Sequence, residues 1–275
     1  MKRTLIQAVL LVAVLVIALV LAANVYINDR SVPVTRIAGQ NDRVLAVFAH
    51  PDDEIMVAGT FAKFHANNIP TGLVYLTRGE AGPTGGLVSQ HELGQARTKE
   101  VHAIKDILGV DYMRVLDFPD SGVAESSSEA IKTAMLDAIE EFKPTVIIGF
   151  DKDIGLYGHE DHRLAGLYLH QLLDETNPVF VKKHYMVTLP PSLIELALKM
   201  STNFKERYSK GPSRGLPKAD VAVNIWRFSS TKKSVLLAHK TQWEVIDDVQ
   251  PFGMVTPAYL YYGIFDREYF HHVLH

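Results

Sequence analysis

No cysteine occurs among the 275 residues. This excludes disulfides, thiolate zinc sites and cysteine nucleophiles, and it is compatible with an oxidising compartment without requiring one. An excess of one charge is also missing. The formal net charge is −3, so neither a nucleic-acid partner nor an acidic tail is indicated. No Gly-x-Gly-x-x-Gly follows the first strand-like run, which disfavours a dinucleotide-binding enzyme. Internal repeats and low-complexity segments are absent. What the chain does have is 12 histidines and 47% hydrophobic residues, enough for one sizeable α/β domain with additions.

Lys2-Arg3 precedes a long apolar run. No polar residue interrupts Ala8 to Ala23, and only Gln7 and Asn24 interrupt Leu5 to Ile27. As a helix, Leu5 to Ile27 would span about 34 Å at ~1.5 Å per residue, enough to cross a hydrocarbon core of ~30 Å. With the basic residues before the run, the positive-inside rule puts the N-terminus in the cytoplasm and everything after Ile27 outside. Residues 1–27 are therefore expected to be a single-pass membrane anchor, with the rest of the chain on the extracytoplasmic side of the cell membrane. The competing reading is a cleaved signal peptide at Leu21-Ala22-Ala23, which would make the protein secreted. The run is long for a signal peptide and has no good small-x-small site at its end. A buried core helix is disfavoured because every face is apolar. Residues 28–42 are polar, contain Pro33 and Gly39, and read as a tether. Residues 43–275 read as one folded domain.

Within that domain strand-like and helix-like runs alternate. Strands are expected at Arg43 to Phe48, Thr71 to Leu76, Tyr112 to Leu116 and Thr145 to Phe150. Helices are expected at Ile55 to Ala66, Glu92 to Leu108, Ser127 to Glu141 and His162 to Leu173. This order predicts an α/β fold with a Rossmann-like, mostly parallel sheet and helices on both faces. Gly79 to Ser89, with four glycines and a proline, is expected to be a mobile loop. Beyond Pro178 the pattern loosens to strands near Phe180 to Val187 and Val221 to Trp226, a packed helix over Leu193 to Phe204, a helix over Ser230 to Lys240 and an aromatic tail that folds back. Lys199, Lys205, Arg207, Lys210, Arg214 and Lys218 make Lys199 to Lys218 basic. It reads as a solvated face, with anionic lipid or polymer contact as the alternative.

Two short clusters carry the chemistry. Ala49-His50-Pro51-Asp52-Asp53-Glu54 leaves the first strand, and Tyr157-Gly158-His159-Glu160-Asp161-His162 follows the fourth. Both lie at the carboxyl ends of parallel strands, where open α/β sheets place their ligands. Packing does not require such a density of imidazoles and carboxylates, and burying them unpaired is costly. Two histidines, a carboxylate and water form the usual ligand set of a catalytic zinc. A divalent cation is the expected occupant, and Asp161 is expected to accept from a histidine ring N–H and fix its tautomer.

At this point the chain resembles the PIG-L (LmbE-like) deacetylases. The resemblance rests on Ala49-His50-Pro51-Asp52-Asp53-Glu54, Thr77-Arg78-Gly79-Glu80 with Gly82, Arg97 followed by Glu100, Asp120-Ser121-Gly122, and Tyr157-Gly158-His159-Glu160-Asp161-His162. It spans about Arg43 to Leu173 and is weaker at Lys232, His239 and Gln242. It implies a zinc-dependent enzyme, with ferrous iron as the alternative ion, that removes acetyl groups from N-acetylglucosamine-type sugars or cleaves related amides. It further implies that His50, Asp53 and His162 bind the metal and that Asp52 is the general base. His159 would stabilise or protonate the reacting centre, and Tyr157 would polarise the carbonyl. Arg97 and Asp120 would hold the sugar, and Glu80 would support the pocket. Two positions depart from the pattern: Glu160 replaces a frequent proline, and Asn224 stands where aspartate is common.

The expected partners are an N-acetylated sugar or glycan and the membrane; the sequence assigns no oligomeric state. Competing functions are a metal-dependent phosphoesterase, for which a second ligand set is missing, and a non-catalytic glycan-binding module. Blander readings exist for single residues. Glu54 is expected only to charge a helix N-terminus. Arg97 with Glu100 has the spacing of a surface ion pair. Asp120 has the setting of a turn former.

Overall fold

The computed structural model of the chain describes residues 2–208 and 215–273, so Lys210 and Arg214 of the basic stretch lie outside the described residues. Seven strands form one sheet in the order β3-β2-β1-β4-β5-β7-β6. They are β1 Val44–Phe48, β2 Thr71–Thr77, β3 Tyr112–Phe118, β4 Val146–Gly149, β5 Lys183–Thr188, β6 Val221–Asn224 and β7 Arg267–Val273. The first five are parallel, as the alternation predicts; β7 runs antiparallel to both β5 and β6. The fold is therefore mixed α/β with an antiparallel edge added by the C-terminal third.

The helices are α1 Lys2–Ile27, α2 Ala58–Ala66, α3 Leu93–Leu108, α4 Ser128–Phe142, α5 Gly155–Gly158 and α6 Glu160–Thr176, then α7 Pro191–Met200, α8 Thr202–Arg207, α9 Ser229–Ala238, α10 Trp243–Val249 and α11 Ala258–Ile264. Strand β1 is fully buried, and its side chains alternate between two cores. Val44, Ala46 and Phe48 join Phe61 of α2, Ile104 of α3 and Leu236 of α9 on one face. Leu45 and Val47 join Met135 of α4 and Leu169 of α6 on the other. Period-two alternation in a strand covered on both sides produces this division. Helix α3 ends at Gly109, whose φ of 64° favours glycine at that position.

Three expectations change. The apolar run Leu193 to Phe204 is not one helix: it breaks at Ser201, whose hydroxyl accepts from the Phe204 amide and starts α8. No residue of α7 is buried. Residues 28–42 are not a free tether. Asn28, Val32, Ile37 and Ala38 are buried, Val34 bridges to Ala222, and Val32 packs with Ala219, Ala222 and Tyr269. The amide of Asn28, rather than pointing to water, donates to the Ile264 carbonyl at 2.7 Å. The polar character of this segment serves the packed interface.

Helix α1 is 26 residues long with a mean hydropathy of 3.1 over its most apolar stretch, and its side chains are exposed almost throughout. It is long and apolar enough to cross a membrane. Only its last turns touch the domain, where Asn24 Nδ2 donates to the Ile264 carbonyl at 2.9 Å and Ser192 Oγ to that of Ile27.

Candidate metal centre and active site

Strand β1 ends at Phe48, and the chain turns at once. Asp52 holds a φ of 110°, a strained value for a residue with a side chain, and a single 3-10 turn over Asp53–Met56 follows. The turn is held from inside, because Asp53 Oδ2 accepts from the amides of Ala49 at 3.1 Å and His50 at 2.7 Å. Just past the end of the neighbouring β4, buried Asp151 accepts from the amides of Asp153, Ile154 and Leu156 and so shapes the loop that presents Tyr157, His159 and His162.

The two turns meet. His162 Nε2 lies 3.1 Å from His50 Nδ1 and 3.1 Å from Asp53 Oδ1, and His50 Nδ1 lies 3.7 Å from Asp53 Oδ2. Tetrahedral ligands at ~2.0–2.1 Å from a zinc ion stand about 3.3 Å apart, and these separations, which run to different oxygens of Asp53, are of that order. His159 also has a ring nitrogen within 4.8 Å of those of His50 and His162. His162 is held flat against Phe150, with centroids 4.2 Å apart and 2° between the planes.

The far edge of His50 faces two carboxylates: Asp120 Oδ1 at 3.0 Å and Asp161 Oδ2 at 3.2 Å from Nε2. An N–H there fixes the tautomer that turns Nδ1 toward the triangle. Burial opposes charge on this ring, but the bonds to Asp120 and Asp161 and the Asp53 charge prevail and push His50 up to about 10. The same surplus of negative charge is what a divalent cation would meet, so the donor set fits one in charge as well as spacing.

Asp52 stands beside the triangle, outside it. Its Oδ2 accepts from Arg97 Nη2 at 2.8 Å. Burial raises its carboxyl to about 6 against the opposing pull of Arg97. Burial likewise raises Asp53, against the pull of His50. Arg97 is itself buried; Nη1 donates to the Gly79 carbonyl at 2.8 Å, and Nη2 also bonds the Pro51 carbonyl. Gly79 has a φ of 68°, and a Cβ there would stand 2.2 Å from Arg97 Nη1, so the residue admits the guanidinium by having no side chain. His159 caps α6, with its Nδ1 accepting from the Asp161 amide at 3.3 Å, which leaves the proton of the neutral ring on Nε2. Burial and the charges of His162 and His50 lower its pKa to about 2. Burial holds the Tyr157 hydroxyl protonated, and its ring meets His162 edge-on at 5.1 Å.

The structure thus brings together every sequence-derived site residue, with altered duties for several. Arg97 is not paired with Glu100, which accepts instead from the Thr241 amide and hydroxyl. The two terminal nitrogens of Arg97 grip Asp52 and two carbonyls and so position the aspartate, while Nε has no partner among the described residues and the residue lines the cavity. Asp120 has one oxygen on His50 and the other accepting from the Ala81 amide at 2.9 Å. Glu80 Oε1 accepts from the Asp120 amide at 2.8 Å, bracing the wall. The glycine-rich loop is tied down, with Gln90 Nε2 donating to the carbonyls of Glu80 and Gly82 and Gln242 Nε2 to that of Pro83.

Glu54 corrects its expected role. It is fully buried and accepts from Tyr75 OH at 2.8 Å, from the Asp52 amide at 3.0 Å and from His239 Nε2. Burial alone would raise it, but the His239 charge prevails and holds Glu54 below its ordinary range, and Glu54 in turn raises His239 despite burial. Of the departures, Glu160 pairs on the surface with Arg163, and Asn224 bonds Asp266 at 3.0 Å.

His50, Asp52, Asp53, Arg97, Asp120, Tyr157, His159 and His162 line a cavity of about 690 Å³, within the ~300–1,000 Å³ usual for small-molecule sites. Arg207, read from sequence as part of a solvated face, also lines it.

Residues 45–173 match the family described as PIG-L: GlcNAc-PI de-N-acetylase. The 1D-myo-inositol 2-acetamido-2-deoxy-alpha-D-glucopyranoside deacetylase of Mycolicibacterium gilvum is 28% identical over 248 residues, covering 78% of this chain and 86% of its own. The diacetylchitobiose deacetylase of Thermococcus kodakarensis is 34% identical over 125 residues, 45% of this chain and 46% of its own. Among solved structures, the N,N'-diacetylchitobiose deacetylase of Pyrococcus horikoshii shares the fold at a TM-score of 0.60 and 20% identity, over 86% of this chain and 87% of the other.

Proposed function

We propose that this protein is a membrane-anchored, zinc-dependent hydrolase that removes the acetyl group from an N-acetylglucosamine-type sugar, a reading supported by the match of residues 45–173 to the PIG-L family. The observation that carries the reading is the triangle of His50 Nδ1, Asp53 and His162 Nε2 at 3.1–3.7 Å, with Asp52 beside it and outside it.

His50, Asp53 and His162 would hold the ion, which when bound would polarise the amide carbonyl and bring the pKa of water close to ~7. The rest falls to the chain's own groups. Asp52, poised near 6 and fixed by Arg97, takes the proton of the attacking water. Neutral His159 donates through Nε2–H and Tyr157 through its hydroxyl to the oxygen on which negative charge develops. The low pKa of His159 leaves Asp52, protonated in the first step, to return that proton to the leaving amine. Asp120 and Asp161 keep His50 in the required tautomer, and Glu80 braces Asp120. Helix α1 stands as the anchor, and Lys2-Arg3 in its first turn supports an extracytoplasmic domain.

Acetate release from a panel of mono-, oligo- and lipid-linked N-acetyl sugars, with and without chelator, tests this reading. Chelator-sensitive release is expected. Binding without release would leave a glycan-binding module, and release of phosphate from a phosphoester panel instead would mean a phosphoesterase.

A further inference from the structure

The part of α1 that stands clear of the domain is too short to cross a bilayer by itself. Residues 2–19 are exposed. Val20 is the first residue that the domain shelters, lying over Gly263 of α11, and Asn24 follows with its bond to the Ile264 carbonyl. Past Lys2 and Arg3 the free part is residues 4–19, which span about 24 Å at ~1.5 Å per residue. A hydrocarbon core is ~30 Å thick and takes about 20 residues. The shortfall is about 6 Å, and tilting the helix would widen it. Twenty residues counted from Thr4 end at Ala23, one turn beyond the contact between Val20 and α11. Either the bilayer thins around α1, or the α11 side of the domain enters the membrane boundary with it.

The surface at that contact decides between the two. Residues 249–265, which contain α11, include no charged residue. Within them Val255 and Tyr259 are 76% and 62% exposed. Trp226, 52% exposed, donates through Nε1 to the Tyr259 carbonyl at 3.3 Å, and the same nitrogen lies beside Gly263. Val20, Gly263, Trp226 and Tyr259 therefore form one continuous surface. Tryptophan and tyrosine concentrate at the membrane–water boundary, where the ring leaves water and the polar tip stays near it. The indole N–H here already has its acceptor, so entering the boundary layer strands no donor. Tyr26, 83% exposed, stands about 9 Å beyond Val20 along α1, at the depth of the headgroups.

We propose that this face of the domain is a second membrane contact: Trp226, Val255 and Tyr259 lie in the boundary layer of the leaflet from which α1 emerges. The proposal rests on the anchored reading of α1 and adds to it the seat of the folded domain, which is held against the lipid rather than swinging on a tether.

The test uses the full chain reconstituted into phosphatidylcholine vesicles, after flotation has shown that it is bound. The chain has two tryptophans, so Trp243→Phe leaves Trp226 as the sole indole. Its fluorescence is compared in plain vesicles and in vesicles whose phosphatidylcholine is brominated near the top of the acyl chains. The control is Glu129→Trp in a background of Trp226→Phe and Trp243→Phe. It places the indole on α4, which packs on β2 and β3 at the sheet edge opposite β6. Bromination is expected to quench Trp226 by about half or more and the control by less than about a tenth. Tyr259→Trp in the indole-free background should match Trp226, and it keeps the test open if Trp243→Phe does not fold. Unquenched, water-like emission from Trp226 in bound protein overturns the proposal and means that the bilayer thins around a domain standing clear. Blue-shifted emission without quenching overturns it in favour of a protein cover, such as a second copy of the chain. Equal quenching of the control overturns it too, since the whole domain would then adsorb without a preferred face. Failure to float with vesicles at all would remove the anchored reading itself.

Discussion

Asp52 combines two unusual properties, a left-handed backbone and a carboxyl raised to about 6. Asparagine tolerates that backbone, so Asp52→Asn should leave the turn intact while removing the base. A loss of ~10²–10⁴ in kcat is expected, with metal content by mass spectrometry unchanged. The Glu54–His239 pair makes a separate prediction. Both side chains are fully buried, so His239→Ala leaves a charge without its partner and should cost about 3–5 kcal/mol in chemical denaturation. The pH dependence has a definite sign. Glu54 is lowered from 4.5, so its share of stability is full above that value and fades as pH falls through the lowered one. His239 is raised from 6.5, so its share is full below that value and fades as pH rises through the raised one. The difference between wild type and His239→Ala should therefore be largest between pH 4.5 and 6.5. The strand-end residues were legible because so many imidazoles and carboxylates in a short turn have no packing use. The Glu54–His239 pair was not, because its partners lie 185 positions apart and neither carries a local pattern.

At the scale of elements, one carboxylate joins three parts of the fold. Glu268 of β7 accepts from the Gly59 and Thr60 amides at the start of α2, at 2.9 and 2.7 Å, and from Lys232 of α9 at 2.6 Å. It supplies the cap that α2 lacks locally. Glu268→Ala leaves those amides and a buried ammonium unpartnered and should lower stability by about 3 kcal/mol or more, read as a shift in denaturation midpoint, with Glu268→Gln retaining part of it. The five parallel strands and their helices could be read from alternating apolar runs. The antiparallel β7 could not, since a tail of tyrosines and phenylalanines fits either a strand or a helix. The break between α7 and α8 was missed because Ser201 sits inside an otherwise continuous stripe, and its capping bond shows only in three dimensions.

For the whole molecule, the proposal of an anchored enzyme predicts that the full chain stays with membranes through alkaline carbonate washing, and that intact mass spectrometry finds Lys2 to Ile27 still attached. Recovery in the soluble fraction with those residues gone would mean a cleaved leader. The separation of an apolar N-terminus from an α/β domain was plain from composition. Their firm junction was not, because asparagines that donate to buried carbonyls look, as letters, like those that face water. That junction bears on proteolytic shedding. A cut after Ala23 would leave Asn24 as a new chain end, with an ammonium group at a residue only 4% exposed and bonded to Ile264. Burying that charge is unfavourable, so a signal-peptidase cut at this point would disturb the wall of the domain that it set free.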